Sequence, residues 1–207
     1  MWNKQSRSET ISYYDQNARQ YAESTQSVDF HDIQDIFLSY LQPSGRILDL
    51  GCGAGRDTKY FLSKGYQTAA IDASGQMCQQ ASKYCGIQVK QMDFRQLHVQ
   101  NEYDGIWACA SLLHVSAAQL PEIFQRIFEA LKNDGILYCS FKYGDFEGIR
   151  NNRYFTDLTE TALKQILRKS AEGQPYELIE KKLWLSGDAM RDRQIKWLNG
   201  IYQVKKS

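Results

Sequence analysis

Arg46-Ile-Leu-Asp-Leu-Gly-Cys-Gly-Ala-Gly-Arg-Asp57 joins a short apolar run to three alternating glycines and the start of a polar segment. Residues 46–49 are typical of a buried strand, and residues 57–64 are typical of a helix. Glycines at positions 51, 53 and 55 leave bare backbone where a ligand must approach closely, and the first helical N–H groups point to the same place. The pattern predicts a ligand site in this strand-to-helix turn, with a tight turn that binds nothing as the alternative.

The spacing of the glycines distinguishes between two kinds of ligand. A dinucleotide-binding fingerprint requires a third glycine or alanine at position 56, which in this chain is Arg56. The pattern Asp-x-Gly-x-Gly-x-Gly, from Asp49 to Gly55, instead resembles the first motif of class I S-adenosylmethionine (SAM) methyltransferases. In that family the glycine loop passes under the methionine half of the cofactor, which contains no pyrophosphate. The resemblance covers roughly residues 10–145.

Composition and charge exclude several other classes of protein. A formal net charge of +1 gives no basic excess for a nucleic-acid partner, and no apolar run reaches the length of a membrane span. The first residues contain no apolar core and predict no secretory signal. The five cysteines and three histidines are scattered, which predicts a reducing cytoplasm and no metal. The oligomeric state stays open.

After the glycine turn, short apolar runs alternate with amphipathic segments, which predicts a parallel sheet with helices on both faces. The predicted strands are 66–71, 86–90, 103–110 and 136–141, and the predicted helices are 74–83 and 120–131. A further helix, capped by Asp157 or Thr159, precedes two strand-like runs, 176–185 and 194–205, which predict an antiparallel hairpin. The resemblance implies one domain over 1–207, with a Rossmann-like, seven-stranded, mostly parallel sheet closed by this C-terminal antiparallel hairpin.

Two amphipathic helices precede the first strand. One has its apolar face at Ile11, Tyr14, Ala18 and Tyr21, and the other has it between Phe30 and Leu41. Because the sheet does not need these helices, we expect residues 1–42 to form a lid over its carboxyl edge.

Open α/β sheets bind ligands outside the carboxyl ends of their strands, and four stretches of this sequence fall there. They are the glycine loop, the end of the second strand at Asp72, the segment Gln91-Met-Asp-Phe94, and the segment Ala110-Ser-Leu-Leu-His114. Asp72 can accept hydrogen bonds from ribose hydroxyls, and Asp93 can accept one from an adenine amino group. The resemblance implies a SAM site formed by Tyr14, Tyr21, Asp49, Gly51, Gly53, Gly55, Arg56, Asp72, Ala73, Met77, Met92, Asp93, Phe94, Ala110 and Ser111.

Three of these carboxylates also have a purely structural interpretation. Asp72 can cap the helix that begins near Ser74, and Asp93 can be a turn residue. Asp49 can hold the glycine loop without contacting a ligand. The prediction of a nucleoside site depends on their recurrence at the ends of successive strands.

The methyl acceptor is predicted to be a small molecule. The chain has neither the Asn/Asp-Pro-Pro-Tyr of amino-group methylases of nucleic-acid bases nor the Pro-Cys of pyrimidine C5 enzymes. A polar loop after the fifth strand carries Lys142, Tyr143, Arg150 and Arg153, a mixture of cations and aromatic rings that suits an anionic or flat acceptor. The alternative is that Asp145 and Glu147 neutralise these cations on the surface.

His114 is the only histidine expected near the transferred methyl group. Its ordinary pKa range suits a general base that takes a proton from the acceptor. It can equally be a packing residue at the start of a helix.

Three functions compete with a SAM-dependent methyltransferase of small molecules. The first is a methyltransferase whose acceptor is RNA or protein. The second is a SAM-binding module without turnover. A nicotinamide dehydrogenase comes last, because Arg56 breaks its fingerprint.

Overall fold

The computed structural model describes residues 4–189 and 194–207, with side chains from residue 7 onward. Two helices, α1 (Lys4–Thr25) and α2 (His31–Leu38), precede the sheet. The other elements are β1 (Arg46–Leu50), α3 (Arg56–Ser63), β2 (Gln67–Asp72), α4 (Gly75–Cys85), β3 (Lys90–Gln91), β4 (Tyr103–Ala108), α5 (Leu120–Ala130), β5 (Leu131–Lys142), β6 (Glu147–Arg150), β7 (Arg153–Thr156), α6 (Glu160–Ala171), β8 (Tyr176–Gly187) and β9 (Lys196–Lys206). Among the described residues, no helix has the length and apolar character needed to cross a membrane.

Seven strands form one sheet in the order β3-β2-β1-β4-β5-β9-β8. The first five strands are parallel, whereas β9 runs antiparallel to β5 and β8 runs antiparallel to β9. The predicted fold class, including the C-terminal antiparallel hairpin, is therefore confirmed. Strand order reverses between β1 and β4, so the crevice at their carboxyl ends is the expected ligand site of such a sheet.

Alternate residues of the central strands face two separate apolar clusters. On β4, Ile106 and Ala108 belong to the cluster that α5 and α6 cover, whereas Trp107 belongs to the cluster that α2 and α3 cover. Trp107 stacks on Tyr138 of β5 with 3.9 Å between the ring centroids. Helices on both faces bury these strands completely and hold the carboxyl ends of β1 and β4 in place.

Helix α2 does not lie over the carboxyl edge, as the predicted lid required. Its Phe37 is fully buried against Trp107 and Phe61, with ring centroids 5.1 and 5.8 Å away, respectively. The apolar stripe of α2 was correctly predicted, but it packs on a face of the sheet because Gly105 leaves room there for Phe37 and Leu41. The lid prediction therefore concerns α1 alone.

Two other predictions need correction. The third strand consists of two residues, Lys90–Gln91, rather than 86–90, because only these residues pair with the end of β2. The predicted polar loop after the fifth strand contains a hairpin, β6–β7, whose turn is Asn151-Asn152 with φ values of 49° and 59°. Two left-handed residues between short strands are the sign of a two-residue hairpin turn, and asparagine is among the residues that form it.

Candidate functional site

A cavity of about 510 Å³ lies at the carboxyl ends of β1, β2 and β4, between the sheet and α1. It is lined by residues from every stretch that the sequence analysis assigned to a site. The predicted residues that line it are Tyr14, Tyr21, Gly51, Gly53, Arg56, Asp72, Ala73, Asp93, Phe94, Ala110, Ser111, His114, Lys142 and Arg153. The structure therefore brings most of the predicted cofactor and acceptor residues into one space.

Hydrogen bonds to the end of β2 hold the glycine loop in place. Both Gly51 and Cys52 donate backbone hydrogen bonds to the carbonyl of Ile71, at 2.9 and 3.0 Å. Asp72 accepts hydrogen bonds from the N–H groups of Gly53 and Ser74, each at 2.9 Å. Burial raises the pKa of Asp72, because the charged carboxylate is removed from water at the cavity wall.

Ser74, rather than Asp72, is the N-cap of α4, and its hydroxyl accepts from the N–H of Met77 at 3.1 Å. Asp72 is therefore not needed to cap this helix. A carboxylate has about four acceptor positions, so the two backbone donors leave it capacity for a ligand hydroxyl.

Asp93 lines the cavity and also begins a turn. It caps the short 3-10 turn Phe94–Gln96 in a reciprocal pair of hydrogen bonds with Gln96. It also forms ion pairs with Arg95 at 2.7 Å and with Arg7 of α1 at 3.0 Å. Burial acts to raise the pKa of Asp93, but the hydrogen bonds and charges of the two arginines outweigh it and keep the pKa below its ordinary value.

Asp49 does not line the cavity. It is buried and accepts a hydrogen bond from the Thr58 hydroxyl at 2.6 Å, so it ties the end of β1 to α3. Burial and the neighbouring Asp57 raise the pKa of Asp49. Its role is the one the sequence analysis left open: support of the glycine loop from behind, although through a hydroxyl rather than backbone N–H groups.

Three more predicted cofactor residues lie outside the cavity wall. Met77 is 1% exposed in the first turn of α4, where its side chain packs into the protein interior. Met92 packs against the apolar cluster under α5. Gly55 packs against α4, where its carbonyl accepts from the thiol of Cys85 at 3.1 Å. A place next to a site residue in the sequence therefore did not mean that a residue would face the cavity.

Helix α1 forms the wall opposite the glycine loop and is attached at both ends of the cavity. Asp15 accepts from the Ser74 hydroxyl at 2.6 Å and from the N–H of Gln76 at 3.1 Å. At the other end, the Thr10 hydroxyl accepts from the N–H of Tyr154 at 2.9 Å. These contacts hold the rings of Tyr14 and Tyr21 against the cavity, with centroids 5.4 Å apart.

Only two of the four predicted acceptor residues line the cavity. Lys142 and Arg153 do, whereas Arg150 forms an ion pair with Asp157 at 2.5 Å and packs over Phe146. Tyr143 is 39% exposed and lies outside. The surface neutralisation that the sequence analysis considered therefore applies to Arg150, but Asp157 provides the charge instead of Asp145 or Glu147.

His114 is held by two hydrogen bonds. Its Nδ1 lies 2.6 Å from the carbonyl oxygen of Tyr154, and its Nε2 lies 2.8 Å from the hydroxyl of Tyr14. A carbonyl only accepts, so Nδ1 carries the proton and Nε2 accepts the Tyr14 O–H. Burial, with the charges of Arg153 and Lys142, lowers the pKa of His114 to about 4.

This arrangement changes the predicted role of His114. An imidazole with a pKa near 4, whose only lone pair already accepts from Tyr14, is a poor base for an acceptor at neutral pH. We therefore revise the prediction: His114 positions the Tyr14 hydroxyl inside the cavity.

Sequence reasoning missed several residues of the wall. One of them is Ser140, near the end of β5, which no local sequence pattern marked as a site residue. Its hydroxyl accepts a hydrogen bond from the N–H of Ala110 at 2.9 Å. Trp197 and Asn199 reach the cavity from β9, and Cys109 reaches it from the end of β4. The antiparallel position of β9 beside β5 brings its residues to this edge, and a sequence pattern alone does not locate that register.

The middle of the chain matches a family model described as a methyltransferase domain, over residues 47–135. YqeM of Bacillus subtilis, classed as a methyltransferase, is 31% identical over 116 residues, which are 51% of this chain and 47% of YqeM. A carboxy-S-adenosyl-L-methionine synthase of Aeromonas hydrophila is 27% identical over 130 residues, 58% of this chain and 51% of the synthase. The chain thus spans about half the length of these curated relatives.

A solved structure covers nearly the whole chain. It is the 1,6-didemethyltoxoflavin-N1-methyltransferase of Burkholderia thailandensis, with bound 1,6-didemethyltoxoflavin and S-adenosylhomocysteine. The TM-score is 0.76 at 20% sequence identity, with 97% of this chain and 87% of that chain covered. The two chains therefore share a fold.

Proposed function

We propose that the chain is a class I SAM-dependent methyltransferase that transfers the methyl group of SAM to a small-molecule acceptor. The observation that carries the proposal is the cavity itself. The glycine loop, Asp72 and Asp93 line the same space as Lys142 and Arg153, so a nucleoside site and a second, cationic site are continuous.

The cavity wall fits this cofactor. Gly53 has no side chain to obstruct the space, and the nearest atom to a Cβ built there is Cε1 of Tyr21, 3.6 Å away. Asp72 retains acceptor capacity for ribose hydroxyls, and Asp93 with Phe94 offers a carboxylate and a ring for adenine. We assign these residues to the cofactor in the proposed function.

When bound, SAM supplies an activated methyl group on a sulfonium with a good leaving group. The protein then has to align the acceptor with that methyl group and to exclude water, which supply most of the rate in such a reaction. Helix α1 covers the space, and the hydrogen bond from Tyr14 to His114 holds one of its rings in position. No side chain has to form a covalent bond to the substrate.

A small molecule is favoured over a polymer because the site is a covered cavity. Tyr14 of α1 and Arg153 of the β6–β7 hairpin both line it. An RNA or protein acceptor would instead make methyl transfer strongly salt-dependent.

A SAM-binding protein with another reaction is the second alternative, which the similarity to a carboxy-S-adenosyl-L-methionine synthase supports. Persistence of methyl-labelled SAM with every small molecule tested would favour a SAM-binding module without turnover.

Asp72→Ala tests the nucleoside site. It removes an acceptor of charge-assisted hydrogen bonds worth about 1.5–3 kcal/mol each, so we expect the Kd for S-adenosylhomocysteine to rise at least about tenfold. Titration calorimetry measures it, with NAD as a ligand that should not bind. Asp104→Ala is the matched control, because Asp104 also accepts a backbone N–H, from Arg46 at 2.7 Å, but at the opposite end of the sheet. Unchanged affinity in Asp72→Ala would remove Asp72 from the ribose site.

The proposed lid is tested by amide hydrogen exchange of α1. Because Tyr14 and Tyr21 line the cavity, we expect exchange in residues 10–22 to slow when S-adenosylhomocysteine binds. Helix α6, which packs against α5 and β8 away from the cavity, is the internal control and should not change. Equal protection of α1 with and without the ligand would make it a fixed wall.

A further inference from the structure

The part of the cavity next to His114 is built from segments that are far apart in the sequence. Tyr13 and Tyr14 come from α1, whereas Arg153 and Phe155 come from β7. The guanidinium carbon of Arg153 lies 4.4 Å from the ring centroid of Tyr13 and 5.1 Å from that of Phe155. A cation therefore sits among aromatic rings at this end of the cavity.

Arg153 differs from the other arginines near the cavity in its charge balance. No ion pair among the described residues involves Arg153. Its Nε is buried and has no hydrogen-bond partner in the described part of the chain. The neighbouring arginines that do form ion pairs with a carboxylate are Arg7, Arg56, Arg95 and Arg150. Without a carboxylate partner among the described residues, the guanidinium of Arg153 keeps a positive charge at the cavity wall that an anionic ligand would neutralise.

The guanidinium lies beside a short chain of hydrogen bonds. The guanidinium carbon of Arg153 is 5.8 Å from the ring centroid of Tyr14, whose O–H donates to Nε2 of His114, and Nδ1 of His114 donates to the carbonyl of Tyr154. This chain ends on a neutral carbonyl and contains no carboxylate, so it does not neutralise Arg153.

The guanidinium has a definite preference. Its planar arrangement of N–H groups matches the two oxygens of a carboxylate. Lys142 adds a second positive charge nearby, with its Nζ 4.0 Å from the ring centroid of Phe155. The surrounding rings of Tyr13, Tyr14 and Phe155 suit a flat molecule.

We propose that the acceptor is a small aromatic carboxylate, anchored by its carboxylate on Arg153 and with its ring packed among Tyr13, Tyr14 and Phe155. This inference rests on the proposed function, because it assigns the acceptor half of the same cavity. Arg153 is the specificity-determining residue, and the rings of Tyr13, Tyr14 and Phe155 surround it.

The test compares matched acids and amides as probes. Benzoate, salicylate and 2-naphthoate are titrated against benzamide, salicylamide and 2-naphthamide, with saturating S-adenosylhomocysteine, by calorimetry and thermal shift. We expect at least one carboxylate to bind at least about tenfold more tightly than its amide. Arg153→Gln should abolish that preference while leaving the Kd for S-adenosylhomocysteine unchanged. Arg150→Gln, on the same hairpin but outside the cavity, should retain it.

Arg153→Lys covers the case in which the glutamine variant does not fold. It keeps a cation among the rings but lacks the fork, so it should weaken the preference for carboxylates by several-fold. The proposal is overturned if no acid binds better than its amide, if the preference survives in Arg153→Gln, or if Arg150→Gln loses it equally. S-adenosylhomocysteine binding is measured first and without probes, so a failure of the proposed function is recorded separately.

Discussion

Replacing Gly53 by valine is expected to lower the affinity for S-adenosylhomocysteine by at least about a hundredfold, or about 2.7 kcal/mol. A Cβ at this position would have Tyr21 as its nearest neighbour, at 3.6 Å, so the added methyl groups would enter the space between the glycine loop and α1. The free protein has room for part of this side chain, whereas the bound cofactor is proposed to need the same space. Calorimetry with S-adenosylhomocysteine measures the loss.

Gly65→Val is the control for this experiment. Gly53 and Gly65 both have positive φ, 54° and 85°, so valine strains the backbone at each position. Gly65 lies in the turn between α3 and β2, and a Cβ there meets no atom within 4 Å. Both variants should lose stability to urea, but only Gly53→Val should lose ligand affinity. Equal affinities in the two variants would mean that the cofactor does not pass close to Gly53.

The elements that sequence patterns predicted well are those whose information is local. The strand, glycine turn and helix from residue 46 to 64 were predicted because each depends on residues within one turn of itself. Asp72 was predicted because it ends an apolar strand, and Gly53 in the adjacent loop donates to it. These features required no knowledge of distant segments.

The features that escaped prediction depend on partners far away in the sequence. The amphipathic pattern of α2 identified Phe37 as buried, but not which surface it would cover, because Trp107 lies seventy residues later. The β6–β7 hairpin had a signal, Asn151-Asn152, that the charged residues around it obscured. Met77 and Met92 followed the site residues along the chain, yet their side chains point into the apolar interior.

His114 combines a feature that local sequence predicts with one that depends on distant partners. Its place after β4 was predictable, and it does line the cavity. Its hydrogen-bond partners come from α1 and β7, which are 100 and 40 residues away, and they fix its tautomer, while burial lowers its pKa. A role as base inferred from the ordinary pKa of histidine therefore had to be revised once those contacts were known.

The lowered pKa of His114 has a large expected effect on stability. The unfolded chain takes up the proton near the ordinary value of 6.5, whereas the folded protein takes it up only near pH 4. Between these values the unfolded state binds more protons, so the free energy of unfolding falls as the pH falls. We expect this residue alone to remove about 3 kcal/mol of stability between pH 7 and pH 4.

His114→Gln isolates this contribution, because an amide can donate to the Tyr154 carbonyl and accept from Tyr14 but does not titrate. Urea unfolding at several pH values between 4 and 7 should show that the advantage of the native protein over the variant shrinks by about 3 kcal/mol as the pH falls. Carboxylates titrate in the same range, but they are common to both proteins and cancel in the difference. Parallel curves for His114→Gln and the native protein would mean that the folded imidazole titrates normally, and that burial does not keep it neutral.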